Sequence, residues 1–264
     1  MAVEEPRRST VVAVQVLVIV VVLGLWELAA SRRWIDPFFW SRPSEVVNEL
    51  RRYLASGEAL RDTSFTVRSM LLGFVLGTLA GSALGLSLWF SRLGARVVEP
   101  LIVAAHAVPK LTFAPLFIIV FGLGMESKVA MVVALTVIAT AITAHAGVRA
   151  IDQDLVTLVV SLGASRPQVF RKVIVPATMP WIVSALRLNI GLSLTGAVVG
   201  EMIGSRSGLG RMVFHASTVY NVGLIWAGAL LLAAIAIAMY AVVGWIERRV
   251  LRGVLHTNPA PQRR

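Results

Sequence analysis

The chain contains no cysteine, which excludes disulfides, thiolate metal sites and cysteine nucleophiles together. Charged residues are also scarce, at 15%. A soluble globular domain carries nearer a quarter, so most of this chain must face lipid or other apolar helices. The few histidines, His106, His145, His215 and His256, lie far apart and show no metal-ligand spacing. No G-x-x-x-x-G-K-[ST] run occurs, so the chain cannot hold ATP by a P-loop of its own. The net charge of +11 is not accompanied by the interleaved basic and aromatic surface that binds nucleic acid. In a membrane protein such a balance reflects Lys and Arg gathered in cytoplasmic loops.

Hydrophobic residues make up 57% of the 264 residues. They fall into six apolar runs at 11–30, 65–90, 100–122, 129–148, 182–204 and 225–246, each long enough as a helix to cross ~30 Å of hydrocarbon. The fold class expected is therefore all-α, an integral membrane bundle of about six transmembrane helices. The first run follows Arg7 and Arg8, and Leu28-Ala29-Ala30 loosely resembles a signal cleavage site. Its length favours a retained helix. The expected organisation is an N-terminal helix at 1–30, an extracytoplasmic amphipathic segment at 31–64, a core at 65–246 and a cytoplasmic tail at 247–264.

Within the amphipathic segment, Val46, Val47, Leu50, Tyr53 and Leu54 recur at helical spacing, with Glu45 and Glu49 early and Arg51 and Arg52 late. That order complements the helix dipole and predicts a short helix at the membrane surface ending near Gly57. With the N-terminus inside, thirteen Lys and Arg fall on the cytoplasmic side against nine outside, so the positive-inside bias puts both termini in the cytoplasm. Trp26, Trp34, Trp40, Trp89, Trp226 and Trp245 lie at or near span ends, where an aromatic belt would hold them.

Two spans carry glycine every fourth residue: Gly73, Gly77, Gly81 and Gly85 in the second, and Gly196, Gly200 and Gly204 in the fifth. Four residues advance a helix by one turn and ~40°, so each set forms a slowly winding groove for a neighbouring backbone. In the third span Lys110 follows Pro109, shares a helix face with His106 and is the only lysine expected to be buried in an apolar run. Pro109 and Pro115 free backbone carbonyls there. A charge at that depth costs ~3 kcal/mol, so Lys110 should face either a wet path or a buried acid such as Glu201. Arg187, with Asn189 nearby in the fifth span, reads as a structural pair or a headgroup contact. Glu201 suits either an outer gate or a cap on the loop after it. His145 reads as an interfacial packing residue.

The longest connection, 149–180, reads RAIDQDLVTLVVSLGASRPQVFRKVIVPATMP. Asp152 can cap a helix that runs to Leu162 and stops at Gly163. Ser165 can cap a second one, with Pro167 in its first turn and Gln168 completing a capping box. Pro176 and Pro180 are expected to close that second helix ahead of the fifth span. Two capped helices hinged at a glycine make a structured knob, which a linker would not need.

The glycine, nine residues, then Val173-Ile174-Val175-Pro176 resemble the coupling loop of ABC-importer permeases. Other stretches are similar to the nitrate/sulfonate/taurine branch. These are Pro43-Ser44-Glu45-Val46, Phe121-Gly122-Leu123-Gly124 with Ser127-Lys128, Ser161-Leu162-Gly163-Ala164-Ser165, and Glu201-Met202-Ile203-Gly204 with Gly208-Leu209-Gly210. The resemblance covers 43–252. It implies a type I importer permease fold, and no catalysis or cofactor in this chain: ATP and magnesium belong to a separate ATPase. It also implies a second permease chain, self-pairing into a homodimer being the expectation, two ATPase subunits, an extracytoplasmic solute-binding protein and a place in the bacterial inner membrane. On the loop it implies ATPase-coupling roles for Leu155, Thr157, Leu158, Ser161, Leu162, Gly163, Ala164, Ser165 and Pro176. The family motif opens Glu-Ala-Ala six residues before the glycine, and this chain has Thr157-Leu158-Val159 instead. His106, Lys110 and Glu201 are the candidate lining of the translocation path. A small anion (a sulfonate, taurine or nitrate) is the expected cargo, with a thiamine-pyrimidine precursor, riboflavin or an aromatic acid as alternatives. A self-contained secondary transporter or channel would instead require midplane ionisable pairs and an internal repeat.

Overall fold

The computed structural model describes residues 8–255, and their side chains from 9 to 249. The terminal stretches carrying Arg7, His256, Arg263 and Arg264 lie outside the described residues. No strand occurs among the described residues; the helices are α1 (Arg8–Ser31), α2 (Pro37–Trp40), α3 (Pro43–Ala55), α4 (Glu58–Ser87), α5 (Arg92–Ala107), α6 (Ala114–Phe121), α7 (Met125–Arg149), α8 (Gln153–Ser161), α9 (Arg166–Val169), α10 (Val175–Ile203), α11 (Leu209–Thr218) and α12 (Val222–Leu255). Among the described residues five helical stretches are long and apolar enough to cross a membrane, or six if the bent α5–α6 pair counts as one broken span. By contact the chain divides into two compact units, Met1–Leu60 with Met212–Leu230, and Arg61–Arg211 with Leu231–Arg264.

In the smaller unit, α1 is apolar and exposed over 9–25, as a helix solvated by lipid must be. Near its end, Glu27 turns inward and accepts hydrogen bonds from Ser44 N (3.0 Å) and Ser44 Oγ (2.9 Å). This anchors the N-terminus of α3, where a carboxylate meets the helix dipole favourably. The predicted amphipathic helix is α3, which buries Val46 and Tyr53 and leaves Val47 and Leu54 exposed.

The larger unit is built around α7. At each glycine of α4, a Cβ would strike α7 one turn further along: Val132 from Gly73, Thr136 from Gly77, Thr140 from Gly81 and Ala144 from Gly85. Because both numberings rise together, α4 and α7 run parallel with backbones in close contact, the geometry that small residues permit. Gly196 faces Val132 and Gly200 faces Lys128, so α10 runs antiparallel along α7. Asn189 of α10 joins all three helices, its Nδ2 donating to Thr78 Oγ1 (2.9 Å) and Thr140 Oγ1 (2.7 Å). Around this junction Met70, Phe74, Val132, Ile190, Ala197, Met239 and Val243 form the buried apolar core.

Two expectations about span continuity are corrected. The third run, 100–122, is not one helix: α5 ends at Ala107 and a 3-10 turn at Lys110–Phe113 leads into α6, with a bend of 77°. Pro109 cannot donate to the α-helical ladder and biases Val108 to an extended conformation, φ −69° and ψ 130°, which turns the chain. Conversely, Pro176 and Pro180 do not close the helix that begins at Arg166. It continues through a π-helical stretch at Phe170–Ile174 into α10, one helical run over Arg166–Ile203. Val175 N–H donates to Phe170 O, a five-residue step. The widened turn accommodates the missing Pro176 donor and its ring without breaking the run.

Candidate functional site

The 149–180 loop forms its caps as its residue types dictate. Asp152 Oδ1 accepts from Asp154 N at 2.9 Å, and Gln168 Oε1 accepts from Ser165 N at 2.8 Å. Thus α8 and α9 each begin on a side chain that satisfies orphaned backbone donors. Between them Gly163 has φ +85°, a conformation that costs L-residues but not glycine. The loop packs on an apolar floor of Val148, Ile151, Val169 and Ile174, extended by Trp89, Phe170, Val156 and Val159. With Val156 and Val159 turned inward, Leu155, Leu158 and Leu162 face outward, Leu162 being 80% exposed. Thr157 and Ser161 spend their hydroxyls on carbonyls one turn back, Gln153 O and Thr157 O. Ala164 and Ser165 lie in the extended step between the two helices. Pro176 lies in the first turn of α10. The result is a capped knob presenting three leucines that stand exposed among the described residues.

A second assembly lies at the opposite end of α7. Lys128 is fully buried, and its ammonium donates to Leu123 O (3.0 Å), Ser127 Oγ (3.2 Å) and Gly204 O. Leu123 and Gly204 follow the C-termini of α6 and α10, where a cation complements the helix dipole. The N-terminus of α11 receives the opposite sign. Asp62 Oδ1 accepts from Gly208 N (2.9 Å), Thr66 Oγ1 from Leu209 N (2.9 Å), and Glu201 Oε2 from Gly210 N (2.8 Å) and Thr66 Oγ1 (2.9 Å). Gly208 takes φ +116°, and a Cβ there would meet the Glu201 carboxylate. The connector between α10 and α11 is therefore clamped by side chains from α4, α7 and α10.

The remaining candidates separate. Glu201 is buried within that clamp and caps the loop after it. Lys110 does not pair with Glu201 or with another acid among the described residues. It folds back to donate to His106 O (3.0 Å) and Val108 O (3.5 Å), capping the broken end of α5. The His106 and Lys110 side chains do not share a helix face, because the helix ends between them. Nor is Lys110 the most buried lysine; it is half-buried, and that place belongs to Lys128. Arg187 pairs with Glu247 of α12. His145 is buried, with Nε2 3.9 Å from Glu99, which also accepts from Arg149 at 2.5 Å. These three residues line a cleft of about 330 Å³ with Ile102 and Ile142.

Lys128, Asp62 and Thr66 had no place among the expected site residues. A signal for Lys128 was present: 128, 132, 136, 140 and 144 form one i+4 row on α7, and that row faces the glycines. One turn before Val132, this row of small side chains begins on a lysine.

Comparison with known proteins agrees with this geometry. Residues 73–252 match the family described as binding-protein-dependent transport system inner membrane component. A probable ABC transporter permease from Haemophilus influenzae is 31% identical over 90% of this chain and 96% of its own. The riboflavin transport system permease RibX of Chloroflexus aurantiacus is 29% identical (89% and 87% covered), and the taurine transport system permease TauC of Escherichia coli 28% identical (92% and 90% covered). A chain of the inward-facing MetNI methionine ABC transporter superposes with a TM-score of 0.66 at 19% identity, over 74% of this chain and 97% of that one, a likeness of fold. The chain belongs to the binding-protein-dependent transport system inner membrane components, the ABC-transporter permeases that work with a separate ATPase.

Proposed function

We propose that this permease is the membrane half of a small-anion importer, two copies of it pairing in the bacterial inner membrane with both termini cytoplasmic. The 149–180 loop inserts into the ATPase subunits, with Leu155, Leu158 and Leu162 as the inserted face and Gly163 as the hinge. One observation carries the reading: three leucines stand uncovered on a capped, floored helix at the end of the bundle. An apolar face so placed favours a protein partner, and its rigid floor would pass the partner's motion to α7 and α10. The solute path runs along the bent α5–α6 span, where His106 and Lys110 contribute positive potential. Lys110 supports an anionic cargo, because its ammonium donates to carbonyl oxygens and is paired with no carboxylate among the described residues.

A taurine permease and a riboflavin permease are about equally similar to this chain, so the cargo needs its own experiment. The solute-binding protein encoded with the transporter is screened by thermal shift against taurine, alkanesulfonates, nitrate, a thiamine pyrimidine and riboflavin. Binding of a small anion, followed by its ATP-driven uptake into proteoliposomes, is the expected result. Uptake of a neutral solute by a Lys110→Met complex at the wild-type rate would remove both the anion and Lys110 from the account.

A further inference from the structure

The smaller unit contains a pocket that the importer chemistry leaves unused. It has a volume of about 290 Å³ and lies among Ser41, Glu45, Glu49, Phe38, Tyr220 and Gly223, where the α2–α3 corner meets the α11–α12 turn. Ser41 is 1% exposed, yet its Oγ has no hydrogen-bond partner among the described residues. A buried, unsatisfied hydroxyl is costly and calls for an explanation. Glu49 is largely buried and Glu45 is half-exposed. Arg42 and Arg52 approach these carboxylates at 3.7 Å and 2.7 Å, but neither arginine lines the pocket. Phe38 and Tyr220 stack at 5.8 Å with an angle of 24° and supply an aromatic wall. Opposite them, a Cβ on Gly223 would come within 3.1 Å of Glu49 Cγ and 3.4 Å of Ser41 Oγ.

The walls are thus two carboxylates, an idle hydroxyl that can accept, and aromatic faces. That is the environment of an ammonium or guanidinium group, held by charge-assisted hydrogen bonds and cation–π attraction. Two non-glycine residues with left-handed φ bracket it, Ser41 (φ 55°) and Tyr220 (φ 55°), and such conformations cluster where a ligand is clamped.

We propose that this pocket receives a Lys or Arg side chain of the solute-binding protein and fixes it on the permease. The proposal rests on the importer reading, which gives the chain such a partner. Carboxylates favour a basic protein side chain over the anionic headgroups that a membrane would present.

The experiment uses the complete transporter in proteoliposomes, titrated with the solute-binding protein encoded with it, reading ATP hydrolysis. For the Glu45→Gln/Glu49→Gln double variant, half-maximal stimulation should require roughly ten- to a hundredfold more binding protein. Hydrolysis without binding protein should be unchanged. Between about 50 and 300 mM salt the wild-type midpoint should rise steeply and the variant's should stay flat. Gly223→Ala, which narrows the pocket without altering charge, should raise the midpoint as well. Normal stimulation of the double variant, with wild-type salt dependence, overturns the pocket while leaving the importer intact. If wild-type stimulation falls when phosphatidylethanolamine is replaced by phosphatidylcholine, and the double variant ignores the change, the pocket takes a lipid ammonium and the proposal is wrong. A wild-type complex that no binding protein stimulates overturns the importer reading, and this proposal with it.

Discussion

Replacing Lys128 by methionine should be among the most damaging single changes in the protein, because that side chain is fully buried and shared by three acceptors. Methionine matches the lysine stem but donates nothing. The variant leaves Leu123 O, Ser127 Oγ and Gly204 O without the donor they share. Each of these three acceptors left unpaired costs about 1–3 kcal/mol, and the ends of α6 and α10 also lose a cation worth up to ~2 kcal/mol. Against this, the variant no longer buries an ammonium, a saving of several kcal/mol. The balance is a loss of about 3 kcal/mol, which at ~2–4 °C per kcal/mol for a chain of this size lowers the midpoint by roughly 6–12 °C. The assay is thermal unfolding of the purified permease in detergent, followed by tryptophan fluorescence. Glu201→Gln is the control, because its carbonyl can still accept from Gly210 N and Thr66 Oγ1 and should shift the midpoint much less. A Lys128→Met midpoint within about 2 °C of wild type would show that water, not the lysine, satisfies those carbonyls.

Gly81→Val should fail to pack, since even a Cβ at that position falls 2.7 Å from Thr140 Cβ; loss of roughly 1–3 kcal/mol or more is expected by the same unfolding assay. Asn189→Leu should cost less, about 0.6–2 kcal/mol, because Thr140 keeps its bond to Thr136 O. Reversing the Arg187–Glu247 pair by Arg187→Glu should lower stability, and adding Glu247→Arg should restore part of it, as a double-mutant cycle would measure. Gly163→Leu should leave the bundle's midpoint almost unmoved, since the strain of a left-handed leucine is ~1 kcal/mol, while ATP-driven uptake is lost.

The six apolar runs, the glycine rows and the caps at Asp152 and Ser165 were legible because each is a local pattern with one physical solution. A glycine every fourth residue has no use against lipid, and an acid or serine ahead of an apolar run has an obvious backbone donor to satisfy. Proline was harder. Pro109 and Pro176 both sit beside apolar helices, and only the tertiary structure decides that one bends its span by 77° while the other is carried through a π-helical turn. Lys110 stands out in the sequence because it interrupts a long apolar run, whereas Lys128 falls just outside the run at 129–148. Hydropathy ranks depth along the sequence. The clamp around Lys128 depends on which helix ends converge there, and that information lies in residues as distant as 62, 123 and 204. Ser41 was invisible for the same reason: an unpartnered hydroxyl is a property of its neighbours.

The central claim, that the outward leucines of α8 are the ATPase contact, is tested most directly by site-specific crosslinking. The chain has no cysteine of its own, so Leu158→Cys supplies a single thiol, paired with single cysteines along the cleft of the separate ATPase. Oxidation of the reconstituted complex should give a disulfide-linked permease–ATPase band and abolish ATP-driven uptake until a reductant is added, whereas Ser56→Cys should give none. Crosslinking from Ser56→Cys together with none from Leu158→Cys, in a complex that hydrolyses ATP, would contradict the account.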